Sequence, residues 1–260
     1  MTGDSIIDVQ GVAQRFGRRT IFRDVSFAVH RREVFVILGG SGCGKSTLMK
    51  QLIGLLRPSA GRIQIFDRTI TGPQGDAALR DVQRRMGVMF QSGALFGSMN
   101  LLENVMLAME MFTDLPPDAR EVVARVKLGL VGLSDAALLM PAEISGGMAR
   151  RAGIARAMAL DPPLLLLDEP SAGLDPITSA GLDRLILDLR HDLGATFVVV
   201  THELASILAI ADRCIMLDRA AFPDAGGAIA EGDPRALRDT STHPIVRAFF
   251  RREVPAMATA

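Results

Sequence analysis

Nine residues, Gly39-Gly40-Ser41-Gly42-Cys43-Gly44-Lys45-Ser46-Thr47, constrain this chain more than any other stretch. They fit the spacing G-x-x-x-x-G-K-[ST], which is a phosphate-binding loop only between a strand and a helix. Both flanks suit it. The apolar run 34–38 reads as a buried strand, and residues 48–56 read as a helix closed by Arg57-Pro58. The glycines let successive backbone N–H groups turn inward around phosphate oxygens. The helix that starts there adds the positive end of its dipole. Lys45 supplies a mobile charge, Ser46 a hydroxyl for Mg²⁺ and Thr47 one for phosphate. Cys43 lies within the loop, where N–H groups and Lys45 are expected to favour its thiolate. The motif implies nucleotide binding without specifying the reaction.

Composition narrows the class. A chain of 260 residues, 48% hydrophobic and 22% charged, suits one large α/β domain with a sub-domain. The formal net charge is zero, so no global basic field points to nucleic acid. Two cysteines, Cys43 and Cys214, make no disulfide framework and suggest a reducing compartment. The first residues carry Asp4 and Asp8 without an apolar stretch, so no signal peptide is expected. No charge-free apolar run reaches about 18 residues, so no membrane span is expected. Trp and Tyr are absent, which leaves Phe or His to contact a base; Phe16, before Gly17, is the candidate.

Along the chain, residues 6–30 alternate and read as antiparallel strands, and 61–66 as another. Residues 76–85 read as a polar helix, and 86–90 as a buried strand ending in Gln91. From Asn100 the period changes. Leu101, Leu102, Val105, Met106, Met109 and Met111 make a helix-like apolar face, broken by Pro116-Pro117. Further helices are expected over 119–130 and 135–139. The block 100–160 therefore reads as a helical sub-domain inserted in an α/β core spanning about 1–99 and 161–232. Buried strands are expected at 164–168 and 196–200, long and short helices at 176–193 and 204–211, and late strands at 214–217 and 228–230. A helical tail follows, with residues 253–260 expected to be flexible.

Several polar groups converge at the ends of apolar strands. Asp168 and Glu169 follow four leucines; the first suits Mg²⁺, the second a general base acting on water. Gln91 and His202 end other strands. Ser145 is a natural N-cap, and Gly146 and Gly147 expose N–H groups at a helix start, a second anion-binding end. One γ-phosphate cannot readily use both ends, so a head-to-tail dimer is expected, the second end clamping nucleotide bound to the other subunit.

With these residues in place, the sequence resembles the ATP-binding-cassette (ABC) ATPases over nearly its whole length. Residues 39–47 resemble the Walker A loop, with Gly40 where Pro is common. Gln91 resembles the glutamine loop, 144–148 the signature motif with Ile144 for Leu, and 164–169 Walker B with its catalytic Glu169. Residues 171–175, ending in Asp175, resemble the D-loop, His202 the switch histidine, and Phe16-Gly17 the adenine-stacking loop, where Tyr is commoner. The resemblance implies a RecA-like P-loop core with an antiparallel β sub-domain and an inserted α-helical sub-domain. It implies ATP and Mg²⁺ as ligands: Ser46, Gln91 and Asp168 for the metal, and Glu169, His202 and Gln91 for hydrolysis. Phe16, residues 39–47, Ser145, Gly146, Gly147 and Asp175 would contact nucleotide. Residues 90–96, 139–143, 147–151 and 175–178 further resemble the bacterial Mla-type ATPases, which move phospholipid between outer and inner membranes. That implies a membrane permease, an MCE-domain lipid-binding protein, a STAS-domain subunit, and a peripheral place on the cytoplasmic face of the inner membrane. Phe96, Met99, Leu101 and Met109 are the apolar candidates for the groove that receives the permease.

Other readings fit less well. A GTPase would carry an Asn/Thr-Lys-x-Asp motif, which is absent. Cassettes acting on DNA or ribosomes carry coiled-coil insertions or a second fused cassette. An importer of amino acids or other small solutes remains open, because the membrane subunit selects cargo.

Overall fold

The computed structural model describes residues 5–72, 75–91 and 93–253. The expected flexible tail lies outside them beyond Glu253, as does Ser92 of the 90–96 stretch. The chain opens with β1 (Ser5–Phe16), β2 (Arg19–His30) and β3 (Val34–Gly39), then α1 (Lys45–Leu52), β4 (Ala60–Ile65) and β5 (Arg68–Thr69). Next come α2 (Gly75–Gln83), β6 (Met86–Met89), α3 (Leu101–Phe112), α4 (Pro117–Leu130) and α5 (Gly146–Ala157). They are followed by β7 (Leu164–Asp168), α6 (Pro176–Leu193), β8 (Thr196–Val200), α7 (Leu204–Ile210), β9 (Arg213–Phe222) and β10 (Ala225–Gly232). Helices α8 (Pro234–Thr240) and α9 (Pro244–Arg251) close the described chain.

Among the described residues the strands form one sheet in the order β5-β4-β1-β2-β10-β9-β3-β8-β7-β6. Strands β9, β3, β8, β7 and β6 run parallel, each paired with its neighbour. Strands β1, β2, β4 and β5 pair antiparallel, the expected β sub-domain. The two halves meet through one parallel pair, Gly226 with Phe22.

The parallel strands separate two cores, because successive side chains point to opposite faces. Val34, Val36 and Leu38 of β3 join Leu165, Leu167, Phe197 and Val199 and the helices α3–α7 on one face. Phe35 and Ile37 join Leu164, Leu166, Val198 and Val200, with α1 and strands β1, β2 and β4, on the other. Each such fully buried side chain contributes roughly 1.5–3 kcal/mol. The consequence for function is placement: α1 and α5 pack on opposite sides of the sheet.

Between residues 100 and 160 the chain forms α3, α4 and α5. Asn100 caps α3 in a box with Glu103, each side chain accepting from the other's backbone N–H. Helix α4 starts at Pro117, earlier than expected, since proline at the first position loses no bond. The helix expected over 135–139 is not one. Two short 3₁₀ turns, Ser134–Ala136 and Pro141–Glu143, stand there. So few residues between Gly132 and Pro141 do not repay helix nucleation. Met111 also departs from expectation: Leu101, Leu102, Val105 and Met109 are buried, but Met111 is exposed at the end of α3. The late strands run longer than apolar pattern suggested, because β9 and β10 extend as a hairpin beyond the core.

Candidate active site

Three parallel strands deliver the site at their C-terminal ends, where open α/β sheets bind ligands. Strand β3 stops at Gly39, β7 at Asp168 and β8 at Val200, and Asp168 is level with Val200.

At the end of β3 the loop 40–44 turns into α1. Gly39 and Gly44 have φ of 146° and 105°, conformations that side chains rarely adopt. A Cβ at Gly39 would stand 2.2 Å from Leu217 O, and one at Gly44 2.6 Å from the Phe22 ring. The second contact seats the β1–β2 hairpin under the loop. The Lys45 ammonium donates to Gly39 O at 2.9 Å and Gly40 O at 3.2 Å, so it already lies across the loop. Gly40, Ser41, Gly42 and Ser46 are exposed and Thr47 half-buried.

Cys43 corrects its expectation. Its side chain is buried in the α1-side core. Burial pushes the thiol above its usual range, outweighing the opposite pull of Lys45.

At the end of β7, burial raises the Asp168 carboxyl; the Glu169 charge adds to this, and Lys45 opposes it. Asp168 Oδ1 is buried with no protein partner, as is Glu169 Oε2. Glu169 turns sharply, at φ 47°, with its N–H donating to Val200 O at 2.8 Å. Its other oxygen, Oε1, lies 2.8 Å from His202 Nδ1. The glutamate is largely buried and the histidine exposed. Thus the carboxylate has one oxygen tied to His202 and one free.

A hard-oxygen set of the Asp168 carboxylate and the Ser46 hydroxyl fits Mg²⁺, and the orphaned Asp168 Oδ1 gives the metal a vacant acceptor. Gln91 follows β6 and is exposed. Phe16 stands at the hairpin tip, 51% exposed, open to stacking.

The signature residues lie elsewhere. Ser145 caps α5, its hydroxyl accepting from Met148 N at 3.3 Å. Gly146 is exposed, while Gly147 is buried against Thr178, whose Cγ2 lies 2.6 Å from where a Cβ would be. Asp175 caps α6, accepting from Ile177 N and Thr178 N at 3.0 Å. The Thr178 hydroxyl, which also donates to it, and then these backbone bonds hold its carboxyl below the usual range. The structure therefore brings together residues 39–47, Asp168, Glu169 and His202. It leaves Ser145–Gly147 at the start of α5, which packs on the opposite sheet face from α1.

Sequence reasoning missed three residues that hold the loops. Asn104, fully buried, donates to Phe96 O, Met99 O and Asn100 O and accepts from Phe96 N at 2.8 Å. Arg156 donates to Ala94 O at 2.7 Å and Gly93 O at 3.1 Å. Arg150 donates to Ala172 O at 3.1 Å. The one available signal was polar residues inside otherwise apolar helices.

A phosphate loop, a carboxylate pair and a histidine on adjoining parallel strands, with a second anion-binding helix end, define an ATP-binding-cassette ATPase. The chain belongs to the ABC transporter family, whose model matches residues 22–172. It is 41% identical over 247 residues to the intermembrane phospholipid transport system ATP-binding protein MlaF of Escherichia coli K12, covering 95% of this chain and 88% of that one. It is 41% identical over 244 residues to a probable ribonucleotide transport ATP-binding protein, mkl, of Mycobacterium tuberculosis H37Rv. That match covers 94% of this chain but only 66% of the mycobacterial protein. Among solved structures, the dimeric cassette MJ0796 bound to ADP and Pi matches at TM-score 0.77 and 28% identity, covering 87% of this chain and 98% of that one.

Proposed function

We propose that this chain is the ATP-hydrolysing subunit of a transporter that moves phospholipid between two membranes. The observation that carries hydrolysis is the Glu169–His202 pair beside Asp168. The cargo rests on relatives. Phospholipid and ribonucleotide relatives are equally identical, but the phospholipid one is matched over 88% of its length against 66%.

In this reading the loop N–H groups and Lys45 hold the β- and γ-phosphates. Ser46, Asp168 and Gln91 would hold Mg²⁺, which when bound neutralises charge on the phosphate oxygens. Glu169 accepts the proton of the attacking water through its free Oε2. His202, on Oε1, fixes the carboxylate's rotamer and faces the open side of the site. Asp175 keeps the D-loop formed between these groups and α6.

Ser145, Gly146 and Gly147 act in trans. Their helix packs on the opposite sheet face from α1, so a second copy turned head to tail supplies the exposed end; the dimeric state of the MJ0796 cassettes supports this. A membrane permease docks on a mainly apolar groove of about 560 Å³ between β6, α3 and α5, walled by Phe90, Phe96 and Met111. Leu101 and Met109, expected there, are core residues. No described helix is long and apolar enough to cross a membrane. An MCE-domain protein and a STAS-domain subunit complete the assembly, with this chain on the cytoplasmic face of the inner membrane.

The test is purification with the permease into proteoliposomes. ATP-dependent transfer of labelled phospholipid to acceptor vesicles is expected. Movement of a ribonucleotide or amino acid without phospholipid would overturn the cargo, and no ATP hydrolysis would overturn the enzyme.

A further inference from the structure

Helix α5 carries three arginines that each donate to backbone carbonyls of a different segment. Arg151 reaches Val131 O at the end of α4, at 3.1 Å. Arg156 reaches Gly93 and Ala94, just past Gln91. Arg150 reaches Ala172 O in the D-loop. Close packing reinforces the last two. Gly93 lies under Ala149, with Ala149 O 2.6 Å from where a Gly93 Cβ would be, and Gly147 presses on Thr178. The helix that begins with the signature residues is thus tied to the glutamine loop and to the D-loop.

Arg150 is the unusual member. It is 9% exposed, and its Nη1 is buried with no partner. Burial alone holds its guanidinium below the usual range, with no carboxylate contributing. A cation buried without a counter-ion is a poor stabiliser, and an apolar side chain of similar size often serves a fold better. What the guanidinium gives is a directed tie to one carbonyl. That tie continues: Ala172 N donates to Glu169 O at 3.2 Å. The path from α5 to the backbone of Glu169 is two hydrogen bonds long.

We propose that Arg150 is a positioning residue for hydrolysis, holding the D-loop and, through Ala172, the backbone of Glu169 in register with the signature end of α5. This rests on the ATPase reading above. Arg150 touches neither nucleotide nor water in that reading; it acts through Ala172. Binding at the phosphate loop, on the other sheet face, does not depend on it, whereas a small misplacement of the base lowers turnover.

The experiment compares the full chain with R150M, which lacks a donor, and R150Q, which keeps a shorter neutral one. Turnover, KM, affinity for a fluorescent ATP analogue and Tm are measured for each. For R150M we expect kcat about tenfold lower, with affinity within about twofold and Tm within about 2 °C of wild type or higher. For R150Q we expect kcat about threefold lower. R150M turnover within about twofold of wild type overturns the proposal, as does loss of affinity, Tm and turnover together. Should R150M not fold, R150Q decides: wild-type turnover overturns, and reduced turnover at unchanged affinity supports. A wild-type chain that binds but never hydrolyses ATP would instead refute the ATPase reading, and the inference with it.

Discussion

His202 Nδ1 and Glu169 Oε1 lie 2.8 Å apart, bridging the ends of the adjacent parallel strands β8 and β7. The pair gives the site its chemical direction. One glutamate oxygen is anchored and the other, buried and unpartnered, is left to a water. Glu169→Gln keeps the shape and removes the basicity. Hydrolysis is expected to fall by about 100-fold or more, with ATP affinity kept and an ATP-bound dimer accumulating on size exclusion. A rate within about tenfold of wild type would remove Glu169 from the base role.

His202→Ala should lower turnover with affinity retained, because it frees the Glu169 rotamer. Since both residues act as one unit, the double variant with Glu169→Gln should be little slower than Glu169→Gln alone. Fully additive losses, measured as kcat, would show that the two act independently.

Neither cysteine should react readily. Burial raises the Cys43 thiol, and pushes that of Cys214 up to about 12 with help from Asp233 and Glu231. Maleimide labelling at neutral pH is expected to proceed only as fast as the protein opens, and to be complete in denaturant. Rapid labelling of Cys43 blocked by ATP would mean the loop opens far more than its packing implies.

The trans clamp predicts a specific cross-link. In a cysteine-free background, cysteines replacing Ser145 and Ser41 should join two chains, and only when ATP is present. Both positions are exposed, so accessibility is not limiting. Cross-links within single chains, seen as monomers of altered mobility on gels, would contradict the head-to-tail arrangement.

Asp183 on α6 predicts a pH effect on stability. It is 7% exposed, and its carboxyl is raised to about 6, chiefly by burial; the Glu203 charge adds to this and a bond from Ser206 opposes it. A carboxyl raised in the folded state makes its ionised form costly there. The penalty is full above about pH 6 and vanishes below about pH 4, where folded and unfolded chains are both protonated. Asp183→Asn should therefore raise Tm at pH 7.5, by at most about 3 kcal/mol in stability. The gain should fade as pH falls to 4.5, and an equal gain at both pH values would rule Asp183 out as its source.

The parallel strands and the residues at their ends were readable because their signals are local. Leu164–Asp168 and Thr196–Val200 are apolar runs buried on both faces, and Pro176–Leu193 is bracketed by a capping Asp175 and by Gly194 at φ 63°. Where signals were weak, the reading missed. The stretch 135–139 looked helical but is too short to nucleate. Met111 fits the apolar period of α3 yet lies beyond the neighbours that would cover it. Cys43 looked reactive by its position in the loop, but sequence does not say which way its side chain points.

Sequence alone determined the phosphate loop, the carboxylate pair, the capped signature helix and the family, because each depends on residue types at fixed short spacings. Only the tertiary structure decided that His202 meets Glu169 across 33 residues, that Arg150 ties to Ala172, and that α1 and α5 sit on opposite faces of one sheet. The physical reason is that hydrogen bonds and burial depend on distance in space. Strand order, which is set by non-local pairing, fixes that distance, and no local pattern encodes it.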